Sequence, residues 1–145
     1  MILITRFPLT GWALAFYLVF NNSAASADAV VVVSAQSPIN TLSERNLEDI
    51  YLGRINKLPD GKPIIPVDQA DSLPVHREFY REFLDRSPAQ IKAHWSKLIF
   101  TGRGRPPPSV TNGAALADFI AGNPAAIGYI DANFVDDRIR VVVIE

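Results

Sequence analysis

Three stretches of this chain carry residue types that could hold an anion. The first is Asp68-Gln69-Ala70-Asp71-Ser72-Leu73-Pro74, followed at once by His76 and Arg77. The second is Thr101-Gly102-Arg103-Gly104-Arg105, and the third is Thr111-Asn112-Gly113. Binding an oxyanion takes a concentrated set of donors: backbone N–H groups at a helix start, hydroxyls, and a guanidinium that can bond two oxygens at once. In the first stretch Gln69, Ser72, His76 and Arg77 are the candidate donors. Asp68 and Asp71 stand against them, because a carboxylate repels an anion unless it is protonated or paired, and Arg77 is near enough in sequence to pair with either. The alternative for this stretch is an ordinary helix start with Asp71 or Ser72 as N-cap. In the second stretch the glycines permit close backbone approach and Arg103 and Arg105 supply charge, so that the loop could face Ser72 across a pocket; as a bare surface turn it needs no ligand. In the third, Asn112 opens a helix and leaves free N–H groups beside it.

Other chemistry is poorly supplied. There is no cysteine, no Gly-x-Ser-x-Gly elbow and no carboxylate pair in an apolar setting, so the chain is not expected to be an enzyme. His76 and His94 have no partner at metal-ligand spacing, and neither a metal nor a cofactor is expected.

The elements that must position these loops can be read from pattern. Ala29 to Ser34 is an unbroken, valine-rich run, which predicts a strand buried on both faces, as in a parallel sheet. Thr41-Leu42-Ser43-Glu44 matches a capping box with Thr41 as N-cap, opening a helix that buries Leu47, Ile50 and Tyr51 and stops at Gly53. After the turn Leu58-Pro59-Asp60-Gly61, a second strand is expected over Ile64 to Val67. A helix from Leu73-Pro74 puts Val75, Phe79 and Phe83 on one face, and Ser87-Pro88 starts another with an apolar stripe of Ile91, Trp95, Leu98 and Ile99. Thr101 to Pro108 must be a loop, a fourth helix runs from about Asn112 to Ala121 and buries Leu116, Phe119 and Ile120, and strands follow at Ala126 to Ile130 and Ile139 to Ile144. Strands alternating with helices predict an α/β domain of two or three layers, with a mostly parallel central sheet of about four strands flanked by about four helices.

The first 27 residues have the form of an export signal: Arg6 is their only charge, Gly11 to Phe20 is apolar, and Ala25-Ser26-Ala27 is a small-x-small cleavage site. The apolar core is far shorter than the roughly 20 residues that span a bilayer. Cleavage after Ala27 leaves residues 28–145 as one periplasmic or secreted domain, with no membrane insertion and no cysteine for a lipid anchor. Without Arg6 there remain 13 Lys and Arg against 15 Asp and Glu, with no basic stripe for nucleic acid and no basic amphipathic helix for a membrane surface.

Two distant segments carry a family likeness: Asp49-Ile50-Tyr51-Leu52-Gly53-Arg54-Ile55 running to the strand Ile64 to Val67, and Pro124-Ala125-Ala126-Ile127-Gly128-Tyr129-Ile130. In order and spacing they resemble the type 2 periplasmic solute-binding fold, and within it one lobe of the phosphate-binding proteins of ABC transporters. The resemblance covers the chain after the leader but only about half of a typical member. It implies a solute-binding protein lobe that takes a small oxyanion, phosphate first, and serves transport; with one lobe, a second copy or an envelope protein would have to supply the other wall. It also implies an arginine and a Ser-Gly-Thr turn after the second strand. Here Asp68 stands where the arginine is expected and only Ser72 remains of the turn. That departure raises the alternative of an envelope protein-interaction module that keeps the fold without the ligand site.

Overall fold

The computed structural model describes residues 26–145; of the leader assigned to residues 1–27, all but Ser26 and Ala27 lie outside the described residues. The central sheet has four strands in the order β3-β6-β1-β7, where β1 is Ala29–Ser34, β3 Ile65–Pro66, β6 Ala126–Asp131 and β7 Ile139–Val141. Strand β3 runs parallel to β6, while β1 is antiparallel to both β6 and β7. Three of the four strands therefore point the same way, and the expected α/β sheet is present with β1 inserted in the opposite sense. Strand β1 is buried on both faces for a reason other than parallel pairing: helices cover both sides. Val31 and Val33 pack toward one cluster with Ile50, Tyr51, Phe79 and Trp95, and Val32 packs toward the other with Leu116, Ile120 and Ile130. The layering is three-fold, helix on sheet on helix.

Helix α1 (Glu44–Tyr51) buries Leu47, Ile50 and Tyr51 as its spacing predicts. Its N-cap is Ser43, which accepts from the N–H of Asn46, and not Thr41. Thr41–Leu42 instead form β2, parallel to β8 (Val143–Ile144), and the N–H of Glu44 is taken by the carbonyl of Glu145. A tertiary partner thus displaces the local capping box. The strand expected at Ile139 to Ile144 divides for the same reason: β7 serves β1, β8 serves β2, and buried Val142 between them donates its N–H to Val31. The strand expected at Ile64 to Val67 is likewise shorter, and Asp68–Gln69 (β4) leave the main sheet to pair with Ser109–Val110 (β5).

Helix α2 (Pro74–Leu84) starts at Leu73, with Pro74 in its first turn and no side chain capping it, so neither Asp71 nor Ser72 is the N-cap. It buries Val75 and Phe79 as expected, with Phe83 partly covered, and it also buries His76 and Tyr80. Helix α3 (Pro88–Phe100) opens on the reciprocal Ser87–Gln90 capping box. Ile91 and Trp95 are buried, but Ile99 is exposed because the helix outruns the core it packs on. Helix α4 (Gly113–Ala121) is capped by Asn112 and buries Leu116 and Ile120, with Phe119 at the surface.

Helix α3 docks on the end of α1. Gly53 adopts φ +71, and a Cβ there would stand 2.7 Å from Cη2 of Trp95, so the Leu52-Gly53-Arg54 signature marks both a left-handed turn and an indole contact. Gly61, at φ +82, has open space around it. Gly53→Ala should therefore destabilise the fold by about 2–4 kcal/mol, strain plus overpacking, and Gly61→Ala by only about 1 kcal/mol. Urea titration of both variants measures the difference; equal effects would remove the Trp95 contact as its cause.

Candidate functional site

Strand β4 delivers Asp68 and Gln69 into the interior, where only 8% of Asp68 and 2% of Gln69 remain exposed. A buried carboxylate is tolerated only when its lone pairs are met, and here they are. Tyr80 Oη donates to Asp68 Oδ2 at 2.7 Å, Tyr129 Oη donates to Oδ1, and the N–H of Gln69 donates to Oδ1 at 2.8 Å. His76 Nε2 stands 3.8 Å from the same oxygen. The two hydroxyl donors come from α2 and β6, and aromatic rings pack around them: Phe79 stacks flat on Tyr129 with centroids 3.9 Å apart, and Tyr51 lies 4.7 Å from Phe79. Tyr51 Oη donates to the carbonyl of Val67 at 3.1 Å.

Burial first, and then the negative charge of Asp68, pushes the hydroxyls of Tyr51, Tyr80 and Tyr129 well above the ordinary tyrosine range. Burial also pushes His76 down, outweighing the opposite pull of Asp68 and Asp71, so the imidazole is neutral near pH 7.

Two cavities flank this cluster, and Gln69 lines both. The first, of about 260 Å³, lies where the starts of α2 and α4 meet, with Leu73, Pro74 and Val75 from one and Asn112 and Gly113 from the other. Asn112 Oδ1 accepts from the N–H of Ala115 at 2.8 Å, leaving the N–H groups of Gly113 and Ala114 without partners in the helical ladder. Asp131 and Phe134 close the far side, and Phe134 lies close enough to Gly113 that a Cβ there would come within 3.1 Å of its ring. The second cavity, of about 500 Å³, lies between the Asp68–Asp71 loop and α3, with His76, Lys92 and Trp95 in its wall. Gln69 Oε1, His76 Nδ1 and Trp95 Nε1 have no hydrogen-bond partner among the described residues, and all three residues line it.

The eight residues singled out from sequence are thus distributed over several places. Asp68, Gln69 and His76 gather at the buried carboxylate, while Asn112 lies with Gln69 at the helix starts. Ser72, Arg77, Arg103 and Arg105 are exposed and line neither cavity. Arg77 makes no ion pair among the described residues, so the pairing with Asp68 or Asp71 is not formed; tyrosine hydroxyls do that work for Asp68. Tyr80 and Tyr129 are the residues that sequence reasoning missed as partners. The available signal was a polar tip on each of two core aromatics, in a chain with a carboxylate in a strand. Among the described residues no three His, Cys, Asp or Glu side chains are placed to hold a metal ion, and no helix is long and apolar enough to cross a membrane.

The tyrosines carry a pH signature. Their folded-state pKa values lie above the unfolded value of 10.0, so the stability they confer is complete below pH 10 and is lost as pH rises beyond it. Tyr80→Phe leaves an Asp68 oxygen short of a donor and should destabilise the fold by about 1.5–3 kcal/mol at pH 7. It should also flatten part of the alkaline loss, as followed by thermal melts from pH 7 to 11.

No protein-family model matches the chain, and neither does any curated protein sequence. Solved structures do match. An ABC-type phosphate transport receptor from Vibrio cholerae superposes with a TM-score of 0.61 at 17% identity, over 80% of this chain and 45% of that one. PstS from Borrelia burgdorferi superposes with a TM-score of 0.61 at 14% identity, over 81% and 47%. The chain spans a little under half the length of these proteins. It has the fold of a single lobe of the phosphate ABC transporter substrate-binding proteins.

Proposed function

We propose that this protein is a one-lobed, non-enzymatic binding module of the cell envelope that takes a small oxyanion, phosphate in the first instance, for an ABC transporter. The observation that carries the reading is the meeting of two helix starts, α2 and α4, at one cavity. Helix N-termini present unpaired N–H groups and partial positive charge: α4 offers the N–H groups of Gly113 and Ala114, and α2 offers that of Val75, since Pro74 has none and the N–H of His76 bonds the carbonyl of Leu73. The clamp on Asp68 answers one objection from sequence, since that charge is satisfied inside the domain and Asp68 does not line this cavity; the carboxylate that does line it, Asp131, has its Oδ1 taken by the N–H and Nδ2 of Asn133. The fold likeness to phosphate receptors supports the same ligand class.

One lobe supplies half of a clamshell's contacts, so affinity should be weak, with a Kd on the order of a millimolar, unless a second copy or a partner closes the site. A second reading, an interaction module without a ligand, is favoured by one feature: the wall of the cavity is largely apolar, from Ala27, Leu73, Val75 and Phe134, and has no Lys or Arg in it.

Calorimetric titration with phosphate and sulfate distinguishes the two. Asn112→Asp keeps an equally good N-cap but sets a carboxylate at the cavity, and it should weaken phosphate binding by about tenfold or more while leaving the melting temperature nearly unchanged. No heat with any oxyanion at millimolar concentration, in protein whose fold is intact by circular dichroism, supports the second reading.

A further inference from the structure

The end of α3 carries a surface that the ligand cavities do not account for. Phe100, its last residue, is 94% exposed, and its neighbour Ile99 is 56% exposed. The chain reverses directly after them: the N–H of Gly102 bonds the carbonyl of Ile99 and that of Arg103 bonds Leu98, with Gly102 at φ +66. This is the Schellman arrangement, which ends a helix in a tight turn. Gly104 then lies back against Leu98 and Trp95, so the returning strand follows the helix side and the two apolar side chains stand at the apex.

Charge is concentrated at the same apex. The chain as a whole has a formal charge of −1, yet no Asp or Glu occurs between Arg86 and Ala117, a segment holding five Lys and Arg. Arg86 pairs with Glu48, whereas Lys97, Arg103 and Arg105 are exposed and make no ion pair among the described residues. Lys97 precedes Phe100 by three positions, which places the two side by side on the helix surface.

We propose that this apex is a docking surface for an anionic lipid bilayer, with Phe100 and Ile99 entering the headgroup region and Lys97, Arg103 and Arg105 bonding lipid phosphates. An exposed aromatic with Lys97 one helical turn before it and Arg103 and Arg105 in the loop that follows has the two attractions that interfacial binding needs: apolar area and charge complementarity. Shape decides between a membrane and an acidic protein. Two apolar side chains on a convex tip are far below the roughly 1,000 Å² that a specific protein interface needs, whereas a fluid bilayer demands no matching contour. The sequence contains no basic amphipathic helix, and none is required, because the surface is a helix end and its turn. The inference is independent of the anion cavity, which lies at other residues.

The test is co-sedimentation of the protein with vesicles of phosphatidylglycerol and phosphatidylcholine mixed, against phosphatidylcholine alone. Binding should occur only with the anionic vesicles and should fall as salt is raised. Phe100→Ser should reduce it strongly, and Arg103→Ser and Arg105→Ser should each reduce it about fivefold, with melting temperatures unchanged because these side chains touch solvent. A wild-type protein that ignores anionic vesicles overturns the assignment in favour of an acidic protein face. Binding that survives all three substitutions overturns it as well.

Discussion

The buried carboxylate of Asp68 is the constraint on which the arrangement of this domain depends. A carboxylate taken out of water is expensive unless its oxygens are met by donors, and here the two side-chain donors come from two separate elements. Tyr80 reaches it from α2 and Tyr129 from β6. The geometry that satisfies Asp68 therefore sets where α2 lies against the sheet, and the flat stack of Phe79 on Tyr129 holds the same pair of elements by a second, apolar contact. Since the start of α2 follows rigidly from its body, the clamp also aims the uncapped end of that helix toward the start of α4.

Charge is sorted by the same means. A carboxylate in a loop next to a helix start would oppose an anion, but one enclosed by tyrosine hydroxyls has its field compensated locally. The first cavity is left with backbone donors, largely apolar walls and the carboxylate of Asp131, while Lys97, Arg103 and Arg105, none of them in an ion pair among the described residues, lie at and after the far end of α3. A domain of balanced overall charge thus presents regions of quite different potential, a property that net charge does not reveal.

Much of the scaffold was legible in the chain. The valine-rich β1, the buried face of α1, the Ser87-Pro88 start of α3 and the Asn112 start of α4 all depend on local pattern: hydrophobic period, N-cap chemistry and proline position. The errors cluster where a distant partner competed with a local one. Thr41 lost its capping role to a pairing with Val143, and Asp68 and Gln69, expected in a loop after the strand, instead paired with Ser109 and Val110. Ile99 fits an apolar stripe by spacing, yet the core ends before the helix does.

The sequence by itself determined the class of fold, the four helices and the four strands of the central sheet, because each of these follows from neighbours within a turn or two. The tertiary structure alone decided what the candidate anion-binding residues meet. Asp68 found tyrosines rather than Arg77, and Arg103 and Arg105 were carried to an exposed apex rather than to the cavity. Both outcomes turn on contacts between positions far apart in the chain, and no local pattern records which distant donor will reach a buried charge first.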